Sequence, residues 1–240
     1  MPENKIVGIH QPNLFPWLGF FSKILKSDCF VFLNHVVNNP RTAIYTKRVQ
    51  IILNGEEHWL TIPLKNVKGE TFIPINKMEI DNPALIASKH LKTLELNYKR
   101  APFFSDIFEY LVAFYEHKSP LISERNIDFI LAICKRLEIQ KEFLISSDLN
   151  CSATSTEMLI EILHKTKGNI YLSGDGAEGY QEDSLYSVNN IQLQFSNFQH
   201  PTYPQFNTSN FKKGLSIIDV LMNIGVDETK NLLLLSLQSS

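Results

Sequence analysis

Residues 6–33 limit the fold of this 240-residue chain more than any other segment. Their pattern predicts an apolar strand at 6–9, an amphipathic helix at about 20–27 and a second apolar strand at 29–33. A strand, a helix and a strand in this order form the unit from which parallel sheets are built. Ligands of open α/β sheets bind beyond the carboxyl ends of the strands, so the loop at 10–19 is the predicted binding site.

The rest of the chain predicts an α/β fold with a mixed, partly parallel sheet, flanking helices and a central helical segment. Asn54-Gly55 lies between two alternating runs and predicts an antiparallel hairpin, so the sheet is expected to be mixed. We expect one domain over residues 1–240, with a candidate helical subdomain at about 83–137. Hydrophobic spacing predicts helices at 83–98, 103–115, 122–137, about 155–167 and 215–224, and strands at 47–53, 57–63, 143–146, 170–174 and 191–195.

Composition and charge exclude several classes of partner. The net charge of −2 provides no basic field that would attract nucleic acid or an anionic membrane. No apolar stretch reaches the roughly 18 residues of a membrane-spanning helix, and the first residues show no secretory signal. Three widely spaced cysteines predict reduced thiols in a cytoplasmic protein. No zinc-ligand spacing occurs, so no metal site is predicted, and the cofactor is left open.

His10 is the sharpest candidate for a catalytic residue. A histidine just past a strand end can serve as a general base or can donate a hydrogen bond to a phosphate. The alternative is that it caps the loop by bonding to local backbone. Gln11 is the second catalytic candidate because it adjoins His10, while Pro12 and Pro16 stiffen the loop. Stabilisation of a transition state requires groups that are held in place in this way.

Four candidates for ligand binding lie in this loop or follow it. Asn13 lies in the loop itself. Trp17 is either an anchor of the core or a platform for stacking. Lys23, in the first predicted helix, either reaches an anionic ligand or is solvated. Arg48, at the start of the hairpin, is expected to hold a donor substrate.

The other candidates for ligand binding are scattered along the chain. Lys89 and His90 share a predicted helix, where they either neutralise a diphosphate or form plain surface charge. Ser173 and Gly174 begin a Gly-rich run, Ser173-Gly174-Asp175-Gly176, that lacks the spacing of phosphate loops, so a tight turn is the alternative to ligand contact. Three polar loop residues suit either sugar or nucleotide recognition or simple packing: Tyr180, Tyr203 and Gln205.

Nucleophilic catalysis by serine or cysteine has little support. No G-x-S-x-G elbow occurs in the chain. Cys29 falls inside a predicted buried strand, and Cys134 faces the apolar side of a predicted helix. Cys151 has no basic neighbour in the sequence that would lower its pKa. We therefore do not expect a cysteine hydrolase.

Ordered sequence motifs along nearly the whole chain resemble the WbqC-like protein family. The opening ones are His10-Gln11-Pro12, Pro16-Trp17-Leu18-Gly19, Lys23 and Asp28. The later ones are Trp59-Leu60-Thr61, Lys89-His90-Leu91-Lys92, Tyr98 with Ala101-Pro102-Phe103-Phe104, Tyr171-Leu172-Ser173-Gly174, Tyr180, Tyr203-Pro204-Gln205 and Leu215-Ser216-Ile217-Ile218-Asp219. The resemblance implies a bacterial cytoplasmic protein of surface-polysaccharide, or O-antigen, biosynthesis that handles an activated sugar or an acyl donor. It supplies no catalytic list.

Two hypotheses follow for the function. The first is a transferase that modifies a nucleotide-linked aminosugar by acyl or aminoacyl transfer, with His10 as general base, Gln11 and Arg48 holding the donor, and Lys89 and His90 meeting phosphate. The second is a non-catalytic protein that binds a sugar nucleotide or assembles pathway enzymes. A third reading, nucleotidylyl transfer, would need a metal and would release pyrophosphate. Donor, acceptor and oligomeric state, a homo-oligomer included, are left open.

Overall fold

The structure is a computed structural model, and it describes residues 4–37, 44–65, 73–174 and 183–238. These residues form seven strands and seven α-helices. The strands are β1 (Ile6–His10), β2 (Cys29–Phe32), β3 (Arg48–Leu53), β4 (Glu56–Thr61), β5 (Glu142–Ile145), β6 (Ile170–Ser173) and β7 (Gln192–Phe195). The helices are α1 (Leu18–Lys26), α2 (Pro83–Tyr98), α3 (Phe104–Glu116), α4 (Ile122–Arg136), α5 (Ser155–Lys165), α6 (Asp183–Val188) and α7 (Ile217–Gln238).

The α/β fold class is confirmed, but its parallel and antiparallel strands lie in two separate sheets. Five strands form a parallel sheet in the order β5-β2-β1-β6-β7. The hairpin β3–β4 forms a two-stranded antiparallel sheet of its own. The expectation that the hairpin joins the main sheet is therefore wrong. The hairpin instead buries Val49, Ile51 and Leu60 in the core that it shares with the helices, so its hydrophobic side is covered without strand pairing.

The strand order reverses at β1, in the middle of the parallel sheet. From β1 the chain moves outward to β2 and β5, and it then returns to β6 on the other side of β1 and continues to β7. The helix that follows β1 and the helix that follows β6 therefore lie on opposite faces of the sheet. Such a reversal opens a crevice at the carboxyl ends of the two central strands, which is where open α/β sheets bind ligands.

Hydrophobic residues on both faces of the sheet explain this layering. Val7 and Ile9 point to a core that includes residues of α5 and α6. Phe30 and Phe32 point to a larger core that includes residues of α1, α3, α4 and α7. Helices α2–α4, which coincide with the expected helical segment to within one residue, contribute to this larger core. The helical subdomain stays a prediction.

Two elements differ from the sequence expectations. Helix α7 does not end near residue 224 but continues across a kink at Gly225, whose φ of 76° only glycine adopts readily. A Cβ on Gly225 would also lie 2.8 Å from the Phe103 ring. Helix α6 was not anticipated, because six residues are too few to show a helical period. Among the described residues, no helix has both the length and the apolar character that crossing a bilayer requires.

Candidate functional site

The loop after β1 is fixed by hydrogen bonds from distant parts of the chain. Asn126 of α4 donates from Nδ2 to the carbonyl oxygens of Pro12 (2.9 Å) and Thr46 (2.8 Å). The backbone N–H of Leu14 donates to the carbonyl oxygen of Tyr45 (2.9 Å). One buried amide side chain thus joins the loop after β1 to the turn before β3, which makes the two segments a single rigid unit.

Phe15 gives the same loop an unusual conformation. Its φ is 40°, in the left-handed region that bulky residues rarely adopt. The buried Phe15 ring packs edge-on against Phe114 and Phe129, with centroids 4.6 Å away in each case. Ser216, just before α7, donates from Oγ to the Phe15 carbonyl oxygen (2.7 Å). These contacts hold the strained backbone, and such over-determined strain is typical of functional loops.

His10 ends β1 and is half-buried at the carboxyl edge of the sheet. Its Nδ1 lies 2.9 Å from the carbonyl oxygen of Gln11. A carbonyl oxygen only accepts hydrogen bonds, so Nδ1 carries the proton and Nε2 keeps its lone pair. Burial, followed by the positive charge of Lys23, lowers the pKa of His10 from 6.5 to about 4. The imidazole is therefore neutral at pH 7, with a hydrogen-bond acceptor at Nε2.

The carboxyl end of β6 lies beside His10. Gly8 of β1 pairs with Leu172 of β6, and two further residues along this register place His10 next to Gly174. Ser173 is fully buried. A Cβ on Gly174 would meet no atom of the described residues within 4 Å. The parallel register thus directs the ends of β1 and β6, which carry His10 and Ser173, to the same edge of the sheet, where the strand order reverses.

Lys23 is neither solvated nor on the helix surface. Only 3% of it is exposed, and Nζ donates to the carbonyl oxygen of Ile9 (2.7 Å), directly before His10. A buried ammonium group beside the end of β1 keeps that strand end in place and makes the surroundings of His10 positive. This placement is compatible with the anion-binding role of Lys23 and removes the solvated alternative.

Replacement of Lys23 by methionine is expected to raise the pKa of His10. The ammonium group is the second cause of the lowered pKa, while burial is the first. The pKa should therefore rise above about 4 but stay below 6.5. NMR titration of the imidazole protons measures this shift. Lys26→Met is the control, because Lys26 donates to the carbonyl oxygen of Ser196, after β7. Equal pKa values of His10 in Lys23→Met and the wild type would contradict the assigned role of the ammonium charge.

A small pocket lies between the loop after β1 and the start of the hairpin. It holds about 30 Å³, and its lining includes the predicted residues Asn13, Trp17 and Arg48. Trp17 lines this pocket and packs edge-on against Phe198 (centroids 5.2 Å apart), and its role as a stacking platform stays a prediction. A Cβ on Gly19 would lie only 2.5 Å from the Trp17 ring, so glycine is required for this ring position.

Arg48 approaches the pocket from β3 with its guanidinium over an aromatic ring. Its Cζ lies 4.2 Å from the centroid of the Trp59 ring. Nε of Arg48 is buried and has no hydrogen-bond partner among the described residues. Tyr45, which also lines the pocket, has its ring centroid 6.0 Å from that of Trp59. A cation and two aromatic rings thus lie together beside the pocket, and neither Tyr45 nor Trp59 was among the predicted ligand-binding residues.

Tyr203 and Gln205 belong to a buried network around Asp219. The Asp219 carboxylate accepts hydrogen bonds from the hydroxyls of Tyr98 (2.8 Å) and Tyr203 (2.7 Å). Gln205 donates from Nε2 to the Lys212 carbonyl oxygen (2.8 Å) and accepts from the Lys212 N–H (2.8 Å). These contacts favour the packing alternative for Tyr203 and Gln205, because their polar groups are already paired.

Lys89 and His90 lie on α2, and neither of them lines the pocket beside the loop after β1. His90 Nδ1 is 2.7 Å from the hydroxyl of Tyr115. Burial lowers the pKa of His90 to about 4, and a hydrogen bond to the backbone of Thr61 opposes this shift. A neutral imidazole with both ring nitrogens engaged is a poor phosphate ligand, and Lys89 is exposed. This geometry favours a structural role for His90 and plain surface charge for Lys89.

Sequence reasoning missed a second polar cluster at the same edge of the sheet. Asn34 and His35 follow β2, and Ser146 follows β5. His35 Nδ1 lies 2.6 Å from Ser146 Oγ, while Nε2 of His35 is buried without a partner among the described residues. Ser146 Oγ also accepts from the Asn34 N–H (3.1 Å). The rule that selected His10 selects these residues too, because they come directly after a predicted apolar strand.

Several features lie outside this site or outside the described residues. Asp175, Gly176 and Tyr180 are outside the described residues. A pocket of about 600 Å³ lies at the opposite edge of the sheet, where Asp28 and Glu142 mark the amino ends of β2 and β5. Within the described ranges, no group of three or more His, Cys, Asp or Glu residues could hold a metal ion.

The three cysteines are free, and burial raises the thiol pKa of both Cys29 and Cys134 to about 12.

Comparison with known proteins confirms the family resemblance. The model of the WbqC-like protein family matches residues 11–231, a range that begins directly after His10. The uncharacterized protein Rv1507c of Mycobacterium tuberculosis is 28% identical over 226 residues, which cover 93% of this chain and 95% of that protein. No solved structure matches this chain.

Proposed function

Because this chain belongs to the WbqC-like protein family, we propose that it is a transferase of bacterial surface-polysaccharide biosynthesis, of the O-antigen type. Its substrate is a nucleotide-linked aminosugar, and the reaction transfers an acyl or aminoacyl group to the sugar amine. The observation that supports this proposal is the neutral His10 at the carboxyl end of the central strand, with the lone pair of Nε2 kept by the bond from Nδ1 to Gln11. Free thiols fit action in the cytoplasm.

The proposed chemistry is proton removal from the attacking amine. As the amine nitrogen forms its bond to the acyl carbon, Nε2 of His10 accepts a proton from that nitrogen. The proton then passes to the leaving group when the bond between acyl carbon and donor breaks. The low pKa of His10 means that the imidazolium returns this proton readily. Gln11 and Arg48 hold the ligand beside His10, and the hydrogen bonds to the loop keep these groups in place.

Binding and product formation test this proposal together. Thermal unfolding is measured with UDP- and dTDP-linked aminosugars and with acyl-coenzyme A donors, and each mixture is then analysed by mass spectrometry. A sugar nucleotide that raises the unfolding temperature and gains the mass of the acyl group supports the transferase. A parallel incubation with a nucleoside triphosphate and a sugar 1-phosphate tests the third reading, and release of pyrophosphate there would overturn the transferase in favour of nucleotidylyl transfer.

A non-catalytic binding or assembly protein is the second candidate. The observation that favours it is the same low pKa, because an imidazole with a pKa of about 4 is a weak base at neutral pH. This candidate predicts that a sugar nucleotide stabilises the protein while no donor yields a product. That result would overturn the transferase.

A further inference from the structure

Arg48 is a half-buried cation without an anionic partner. Within the described part of the chain it forms no ion pair, and its buried Nε donates no hydrogen bond. A buried N–H that has lost water without gaining a partner costs free energy. The Trp59 ring, 4.2 Å from Cζ, compensates only part of this cost. An oxyanion in the pocket would give Nε a hydrogen-bond acceptor and the guanidinium an anionic partner.

The pairing of the hairpin strands fixes how Arg48 meets this pocket. Arg48 is opposite Thr61, and Gln50 is opposite Trp59, so Arg48 and Trp59 are diagonal neighbours on one face of the hairpin. Diagonal neighbours are within reach of aromatic and long side chains. A guanidinium that lies over a ring keeps its N–H donors in its own plane, where they bind phosphate as a fork.

The two aromatic rings beside Arg48 are unusually exposed. Tyr45 is 52% exposed and Trp59 is 41% exposed. Tyr45 is held by its backbone, because its carbonyl oxygen accepts from the Leu14 N–H (2.9 Å), so its ring stands at the pocket without being buried. Exposed, positioned rings next to a cation are the arrangement on which nucleobases stack.

The size of the pocket decides which part of a ligand enters it. A space of about 30 Å³ admits an oxygen of an oxyanion but not a whole nucleotide. The base must therefore remain outside, against the exposed rings. Asn13 lines the same pocket and is three residues from His10, so their Cα atoms lie within about 11 Å of each other. A diphosphate that begins at the pocket can place its attached sugar near His10.

We infer that Arg48 binds the diphosphate of a nucleotide-linked sugar and that Tyr45 and Trp59 stack against its base. This inference rests on the proposed function, because it names the part of the same substrate that the pocket holds. It moves Arg48 from the acyl donor, for which the sequence suggested it, to the acceptor sugar nucleotide. It also reassigns the phosphate contact that the sequence suggested for Lys89 and His90, since the ring nitrogens of His90 are engaged by Tyr115 and Thr61.

Calorimetric titration of the 240-residue chain with UDP, dTDP, GDP and ADP tests the inference without any need for turnover. The affinity of the nucleoside diphosphate that binds most tightly is compared with the affinities of its nucleoside and of pyrophosphate. We expect each fragment to bind at least about tenfold more weakly than the nucleoside diphosphate. Pyrophosphate binding as tight as that of the nucleoside diphosphate would overturn the stacking role, and equal binding by the nucleoside would overturn the role of the phosphate.

Variants assign the contacts to residues. Arg48→Gln is expected to weaken nucleoside diphosphate binding at least about tenfold, with partial recovery in Arg48→Lys. Tyr45→Ala is expected to weaken it about tenfold. The matched control is Arg100→Gln, because Arg100 is an exposed arginine after α2. This variant should bind the nucleoside diphosphate with the same affinity as the wild type. Circular dichroism melting checks that each variant is folded. Wild-type affinity in a folded Arg48→Gln would overturn the inference.

Failure of the inference differs from failure of the proposed function. Acyl transfer together with binding that does not depend on Arg48 would leave the transferase intact and remove this binding mode. Arg48-dependent binding of a nucleoside diphosphate without any product would support the binding mode and remove the transferase.

Discussion

Replacement of His10 by glutamine is expected to reduce acyl transfer by about 100-fold or more, because general-base catalysis contributes at least that factor. Glutamine keeps a polar group of similar length but has no nitrogen lone pair that accepts a proton. The His10 side chain is half-buried, makes one local hydrogen bond, to Gln11, and packs edge-on against Phe20 (centroids 4.9 Å apart), so circular dichroism melting checks that the variant is folded. Steady-state kinetics with the aminosugar identified by mass spectrometry measures the loss, and the KM should change much less than kcat.

His164→Gln is the matched control for this experiment. His164 is an exposed histidine at the end of α5, and its replacement should leave kcat unchanged. His10→Ala and Gln11→Ala extend the test to the second catalytic candidate. Unchanged turnover in both alanine variants would remove the proposed site.

Replacement of Asp219 by alanine is expected to lower the free energy of unfolding by about 3 kcal/mol, because it leaves two buried hydroxyl groups without an acceptor. Asp219 is 0% exposed and accepts from the hydroxyls of Tyr98 and Tyr203. The Tyr98 hydroxyl also accepts from the backbone N–H of Ile52 (2.9 Å), so α2, α7 and the hairpin that carries Arg48 all meet at this carboxylate. Urea denaturation followed by circular dichroism measures the change.

Two variants separate the contributions of the Asp219 network. Tyr203→Phe removes one partner of the carboxylate and should lower the free energy of unfolding by about 1 kcal/mol.

Asp219→Asn tests how the charge of the Asp219 carboxylate affects stability at different pH values. Burial, the largest cause, raises the pKa of Asp219, so the folded protein binds this proton more tightly than the unfolded chain does. The stabilisation is then complete below about pH 4 and is lost as the pH rises through the folded pKa. Wild-type stability should fall over this range relative to Asp219→Asn, and parallel pH profiles of the two proteins would contradict a raised pKa.

Local patterns were enough to predict the elements that carry the site. The apolar run before His10 predicted β1, and β1 extends only one residue beyond the prediction. The apolar spacing and proline of α2 predicted its bounds, 83–98, as the structure has them. Because the loop after β1 adjoins a strand that pattern alone identifies, the sequence pointed to His10, Gln11 and Asn13. Their roles stay proposals.

Contacts between distant residues explain what the sequence did not reveal. Tyr98 and Asp219 are separated by 121 positions, and no local pattern predicts that a helix-start carboxylate meets that hydroxyl. Burial of Lys23 depends on the packing of α1 against the sheet, so its helix position alone left two readings open. The stack of Arg48 on Trp59 needs the register of the hairpin, which the Asn54-Gly55 signal located without fixing the side-chain neighbours.

A crystal of the protein soaked with a UDP- or dTDP-linked aminosugar tests whether the carboxyl edge of the sheet is the substrate site. The ligand is expected between the ends of β1 and β6, with its amine about 3 Å from Nε2 of His10 and a phosphate oxygen on the Arg48 guanidinium. A ligand bound instead in the groove at the amino ends of β2 and β5, between Asp28 and Glu142, would contradict this assignment.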